Sequence, residues 1–230
     1  MRSIAIITAR GGSKRIPRKN VKPFMGKPMI AYAIAAALES KLFDEVMVST
    51  DDAEIAAIAK ENGAVVPFMR SAATSNDYAT TVDVLNEVIT EYGKRGVAFD
   101  SFCCIYPCVP FLTGDLLRAA HTAFVSSGSD SLMPVVKYSF PIQRAMRRNA
   151  DGFLEYREPE KKLKRSQDLE PMYHDVGMFY FHKTASFCAK NARMAMFEMP
   201  EERVQDIDTL DDWKMAEMKY KILCGQKGNV

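Results

Sequence analysis

The stretch from Ile4 to Asn20 reads IAIITARGGSKRIPRKN. An apolar, β-branched run from Ile4 to Ala9 breaks into Arg10-Gly11-Gly12-Ser13-Lys14-Arg15, the pattern of a buried strand that delivers a flexible cationic loop at its carboxyl end. Open α/β sheets bind their ligands at that end. Two glycines let backbone N–H groups approach an anion, and Ser13 adds a hydroxyl donor. Arg10, Lys14, Arg15, Arg18 and Lys19 add charge-assisted contacts. Eight Lys or Arg precede the first carboxylate, Glu39. The loop is therefore expected to find its counter-charge in a ligand, with a polyphosphate as the natural guest. The plainer alternative is a solvated basic turn.

The spacing excludes two familiar phosphate motifs. Gly11-Gly12-Ser13-Lys14 lacks the four-residue spacer of a P-loop, and no G-x-G-x-x-G follows the strand. Downstream, strands and helices alternate. Pro28 suits the first turn of a helix from about Met29 to Ser40, with Ile30, Ile34 and Leu38 on one face. A strand from Glu45 to Thr50 leads to Asp51 as helix cap, with Glu54 at the capping-box position and Gly63 as the stop. A third strand is expected over Ala64 to Phe68, then a helix from about Thr80 to Tyr92. A fourth strand (Ser101 to Tyr106), a helix (about Asp115 to Ser126) and a fifth strand (Ser131 to Tyr138) follow. This order predicts an α/β fold with a doubly wound, mostly parallel sheet.

From Arg144 to Arg165 basic residues outnumber acidic ones and apolar periodicity is lost, which marks an excursion from the sheet. The chain returns with a strand from Val176 to Phe181 and ends in a helix from about Leu210 to Leu223. The expected division is a main α/β domain of residues 1–138 and 176–230, with an insert at 139–175. Just before the last helix, Asp206 and Asp208 stand two apart. If Gln205 to Asp208 is extended, both carboxylates share one face and can hold a hard cation while Ile207 points into the core. Thr209, Asp211 and Asp212 suit the helix start.

Length and charge bound the rest. At 230 residues the chain fits one α/β domain with a small insertion, and its net charge of +2 does not suggest nucleic acid. No segment approaches the roughly 20 apolar residues of a membrane span and no signal peptide is visible, so a cytoplasmic location is expected. The five cysteines lack zinc-ligand spacing and read as reduced, mostly buried thiols.

The pattern A-R-x-x-S-K-x-x-P-x-K-N, matched at Ala9, Arg10, Ser13, Lys14, Pro17, Lys19 and Asn20, resembles the signature of the CMP-sugar synthetases, the cytidylyltransferases that activate nonulosonic acids and Kdo. The resemblance implies a Rossmann-like nucleotidyltransferase fold. It implies CTP on Ala9, Arg10, Gly11, Gly12, Ser13, Lys14, Lys19 and Asn20, and cytosine recognition around Arg70, Thr80 and Thr81. It implies Mg²⁺ on Asp206 and Asp208, and puts Arg10, Lys19 and Asp208 in the chemistry. It also implies a homodimer whose excursion reaches over the partner's sugar site.

Three segments are similar to the pseudaminic acid branch of that family: Tyr-Pro-Cys-Val-Pro-Phe from Tyr106, Ser-Phe-Pro-Ile-Gln-Arg from Ser139, and the run from Arg165 to Asp175. Sialic acid enzymes usually have glutamine at Tyr106 and arginine at Leu112. The implied sugar contacts are Tyr106, Gln143, Arg144, Arg165, Tyr173, His174 and Asp175, with Arg165 suited to bidentate capture of the sugar carboxylate. Met178 stands where that branch commonly has glutamine and Thr8 where the family commonly has proline. N-acetylneuraminic or legionaminic acid remain alternative acceptors, and a non-catalytic nucleotide-binding module is the reading from another class. The general base, the number of metal ions and the roles of His121 and His182 stay open.

Overall fold

The computed structural model describes residues 2–225, with side chains through Leu223. In chain order the elements are β1 (Ser3–Thr8), β2 (Pro23–Phe24), β3 (Lys27–Pro28), α1 (Met29–Ser40), β4 (Glu45–Ser49), α2 (Ala53–Glu61), the short α3 (Ala72–Ser75), α4 (Thr81–Lys94), β5 (Ser101–Ile105), α5 (Gly114–Ser127) and β6 (Ser131–Lys137). There follow β7 (Met146–Arg148), β8 (Leu154–Tyr156), β9 (Tyr173–Asp175), β10 (Phe179–Lys183), β11 (Met194–Glu198) and α6 (Leu210–Gly225).

The main sheet runs in the order β11-β6-β10-β5-β1-β4. β1 pairs in parallel with both β4 and β5, and β11 with β6, while β10 is antiparallel to β5 and β6. The expected mostly parallel α/β sheet is therefore present. Alternation along β1 explains its two covered faces. Ala5 and Ile7 join one apolar core with Ile30 and Ile34 of α1, Leu117 of α5 and Trp213 of α6. Ile4 and Ile6 point the other way, into a second core with Leu85, Val88 and Tyr92 of α4. Side chains on both faces of one strand are thus removed from water, which fixes the register of β1 and the position of the loop that leaves it.

Four local readings change. The third strand, expected over Ala64 to Phe68, shrinks to a bridge between Val65 and Met47, because Pro67 has no N–H to continue a ladder. Asp52, not Asp51, caps α2, its carboxylate accepting the N–H groups of Glu54 and Ile55. Leu38 is half-exposed, although Ile30 and Ile34 are fully buried. The return strand begins at Phe179, not Val176, because Tyr173–Asp175 first pairs antiparallel with Val135–Lys137 of β6. Between these two pairings the chain leaves the ladder at Gly177, whose φ of +63° suits only glycine without strain.

Within the expected insert, β7 and β8 form a small antiparallel hairpin of their own. Cys103 and Cys104 are buried, Cys108 is partly buried and Cys188 is exposed; Cys224 lies outside the described side chains. Among the described residues no helix is long and apolar enough to cross a membrane.

Candidate active site

Every cation of the loop after β1 is paired, and the counter-ions come from distant parts of the chain. Arg10 bonds Asp77 Oδ1 at 2.8 Å and the Asn76 carbonyl at 2.9 Å, and Lys14 reaches Asp77 Oδ2 at 2.5 Å. Arg15 lies 2.8 Å from Asp208 Oδ2. Arg18, with φ of +57°, forks onto both oxygens of Asp52 and onto Glu54. Lys19 donates to the Ile207 carbonyl at 2.6 Å and lies 3.5 Å from Asp208 Oδ1. The expectation of a loop without counter-charge inside the protein is thereby corrected. The hydrogen bond from Arg18 is the main reason why the Asp52 carboxyl is held at about 2. Lys14, then Arg10, keep the Asp77 carboxyl below its ordinary range.

The backbone of the loop is braced as well. Gly11 N–H donates to Asp51 Oδ1 at 2.9 Å. A Cβ at position 11 would stand 2.7 Å from Asp52 Oδ2, so glycine is required for this close approach. The Ser13 hydroxyl donates to the Ile16 carbonyl, inside the loop itself. Asn20 is buried; its amide donates to the Arg10 carbonyl at 2.8 Å and its oxygen accepts from the Cys108 thiol at 3.3 Å. Ala9, buried, continues the strand by donating to the Ser49 carbonyl.

Two cavities meet at Lys19. One, of about 410 Å³, is lined by Arg10, Gly12, Ser13, Lys14, Arg15 and Lys19. The second, of about 370 Å³, holds Asp206 and Asp208 on one wall and Thr81, Tyr106 and Gly177 among its other residues, with Lys19 again contributing. The Asp-x-Asp segment carries the expected alternation, since Ile207 is buried in the core and both carboxylates line this cavity. Asp212 and Thr209 form the start of α6: the Asp212 carboxylate accepts the N–H of Asp208 and of Thr209, and Thr209 Oγ1 accepts the Asp212 N–H.

Asp206 and Asp208 offer two hard carboxylates to one cavity, the donor type that Mg²⁺ takes, although Asp208 is ion-paired with Arg15 and Lys19 and, among the described residues, no group of three or more His, Cys, Asp or Glu is arranged to hold a metal. Such a site leaves the remaining positions to substrate oxygens and water, as Mg²⁺ prefers.

The other expected residues divide. Thr81 Oγ1 lies 3.3 Å from the Tyr106 hydroxyl inside the second cavity. The Thr80 hydroxyl is engaged in the capping box of α4 with Asp83. Arg70 is buried, its guanidinium donating to Ser49 Oγ and to the Ser49 carbonyl; desolvation lowers its pKa. None of Gln143, Arg144, Arg165, Tyr173, His174 and Asp175 lines either cavity. Gln143 donates to the Glu170 carbonyl, Arg144 bonds Ser166 and the Lys164 carbonyl, and Arg165 pairs with Asp168 at 3.1 Å. The half-buried Tyr173 follows Met172 into β9, and His174 lies against the Tyr138 ring, 4.8 Å between centroids. Asp175 accepts from Gly177 N–H and from the Tyr180 hydroxyl.

Sequence reasoning missed Asp77, Cys108 and Tyr180. No local pattern marks them: Asp77 and Cys108 act through partners far away in sequence, and Tyr180 joins Asp175, five residues before it, to the distant Tyr106.

A mostly parallel α/β sheet, with a cationic loop at the end of its inner strand and an Asp-x-Asp across the cavity, defines a nucleotidyltransferase. Residues 4–214 match the family model described as Cytidylyltransferase, and the chain belongs to that family. It is 40% identical to pseudaminic acid cytidylyltransferase of Campylobacter jejuni subsp. jejuni serotype O:2, over 96% of this chain and 97% of that protein. It is 31% identical to CMP-N,N'-diacetyllegionaminic acid synthase of Legionella pneumophila, over 94% of this chain and 95% of that one. The solved structure of CMP:2-keto-3-deoxy-manno-octonic acid synthetase complexed with CTP shares the fold, with a TM-score of 0.69 over 99% of this chain and 100% of that chain at 18% identity.

Proposed function

We propose that this protein transfers CMP from CTP to the anomeric hydroxyl of a nonulosonic acid, pseudaminic acid in particular, with release of pyrophosphate. The observation that carries the reading is the place of Lys19, whose ammonium group joins the cationic cavity to the one holding Asp206 and Asp208. A triphosphate spanning the two would lie with its β- and γ-phosphates on Arg10, Lys14 and Arg15 and its α-phosphate beside Lys19. In-line attack at the α-phosphorus puts charge on the oxygen bridging to the β-phosphate, and these cations stabilise that charge. Mg²⁺ on Asp206 and Asp208 would supply further positive charge at the α-phosphate. The acceptor is favoured by the 40% identity to a pseudaminic acid enzyme and by Tyr106 in the cavity wall. Pyrophosphate release from CTP, measured with pseudaminic, legionaminic and N-acetylneuraminic acid, tests this directly. The expected result is fastest turnover with pseudaminic acid; release with none of them overturns the enzymatic reading, and preference for another overturns the acceptor.

Because the loop is neutralised from within, the triphosphate must take Arg10 and Lys14 from Asp77. Asp77→Asn is therefore expected to tighten CTP binding about two- to fivefold, the range that exposed ion pairs support. Calorimetric titration with CTP in the absence of acceptor measures it. Weaker binding would show instead that Asp77 holds the loop in its binding conformation.

The second part of the reading is a homodimer with a sugar site completed by the insert at 139–175. What supports it is the apolar surface left bare there: Phe140 is 86%, Phe153 72%, Leu154 71% and Leu163 90% exposed. A second copy of the same surface would cover the apolar side chains.

A further inference from the structure

Tyr106 meets Thr81 Oγ1 at 3.3 Å through its hydroxyl, and its backbone and ring are held from two further directions that both lead to one carboxylate. Its backbone N–H donates to the Met178 carbonyl at 2.8 Å, which fixes the end of β5 against the break between β9 and β10. Its ring meets the Tyr180 ring edge-on, 5.6 Å between centroids. Asp175 governs both contacts. Oδ1 accepts the Gly177 N–H at 2.9 Å and so shapes the break that presents the Met178 carbonyl. Oδ2 accepts the Tyr180 hydroxyl at 2.7 Å and so sets the Tyr180 ring.

Resting on the CMP-transfer reading above, we propose that Asp175 and Tyr180 are positioning residues that fix the Tyr106 ring as the acceptor-facing wall of the cavity. Asp175 thus serves the sugar at one remove, through Tyr180, and its two oxygens are already engaged inside the chain. The acceptor side is assigned because Gly177 lines the cavity next to this wall and belongs to the chain returning from the insert, whereas the cationic cavity lies beyond Lys19. The Tyr180 hydroxyl is suited to a constant role. Burial, and then the Asp175 carboxylate, push its ionisation far above neutral pH, so it remains a donor.

A bond of this kind acts by orientation and not by direct contact, so its loss should appear in acceptor affinity. Tyr180→Phe keeps the ring against Tyr106 and removes only the hydroxyl. It is expected to raise the acceptor KM five- to tenfold, with kcat and the KM for CTP within twofold of wild type. Asp175→Asn should raise the acceptor KM at least as much, because the Gly177 contact is weakened too. The decisive measurement is a double-mutant cycle. In a Tyr106→Ala background, adding Tyr180→Phe should change acceptor KM by less than twofold, because the ring it positions is gone. Effects that multiply across the two sites overturn the proposal, as does an increase confined to the KM for CTP. Since all values are ratios to an active wild type, failure of the positioning role is distinct from failure of the CMP-transfer reading, in which the wild type itself would release no pyrophosphate. A circular-dichroism melt accompanies each variant, and a Tyr180→Phe protein that lost acceptor affinity only in step with lost folded fraction would also count against the proposal.

Discussion

Asp208→Asn is expected to cut turnover by at least about a hundredfold, near 2.7 kcal/mol, the range for loss of one major electrostatic stabiliser. The side chain faces the cavity and borders both Arg15 and Lys19. Asparagine keeps its shape and removes the charge that a divalent cation needs. Folding should barely change, because the core contact of this segment is made by Ile207 and the start of α6 by Asp212 and Thr209. The variant should also bind CTP through the loop without loss in metal-free buffer, since Arg15 and Lys19 are released from an internal partner. Turnover equal to wild type with unchanged Mg²⁺ dependence would remove Asp208 from the chemistry.

A mixture of two inactive proteins is expected to regain activity. Arg165→Ala spoils the insert and Asp208→Asn spoils the main domain; if the site is composed across a homodimer, random exchange of subunits leaves about a quarter of all sites intact. Arg165 suits this role because its side chain is exposed, lines neither cavity of its own chain, and follows Leu163 on the bare apolar surface. Exchange confirmed by mass photometry of differently tagged subunits, with no return of activity, would place Arg165 within its own chain's site or outside any site. A fully active monomer would overturn the shared site altogether.

What could be read from the sequence was whatever depends on neighbours along the chain. The strand before Arg10 shows as a β-branched run ending in glycines, and Asp206-Ile207-Asp208 shows its alternation in three letters. Where a choice turned on one residue, local reasoning was less secure. Asp51 and Asp52 are both good caps, and the choice rests on where β4 leaves the sheet; as a result one carboxylate serves α2 and the other holds Gly11. Val65 failed to extend into a strand because Pro67 follows too soon. The counter-ions were illegible for a different reason. Arg10 meets Asp77 and Lys19 meets Asp208 only after the sheet has brought residues 67 and 189 positions apart together, and no periodicity encodes such an encounter. The link from Asp175 to Tyr106 is of the same kind, passing through a third residue.

The break at Gly177 separates two ladders on the same strand: β9 lies along Val135–Lys137 of β6 and β10 pairs with Ser131 and Leu132. The insert therefore departs from the end of β6 and returns to that same end, so its two stems are fixed close together whatever lies between them. Closing a longer loop across fixed stems costs little, about 0.6 kcal/mol for each doubling of its length. Lineages of this architecture can thus lengthen, shorten or rebuild the hairpin of β7 and β8 without disturbing the hydrogen bonding of the sheet. Because β6 runs parallel to β1, the insert leaves the same carboxyl end of the sheet as the cationic loop; the loop is constrained by its five ion-paired cations, whereas the insert beside it is free to vary, and divergence in acceptor choice is expected to accumulate there.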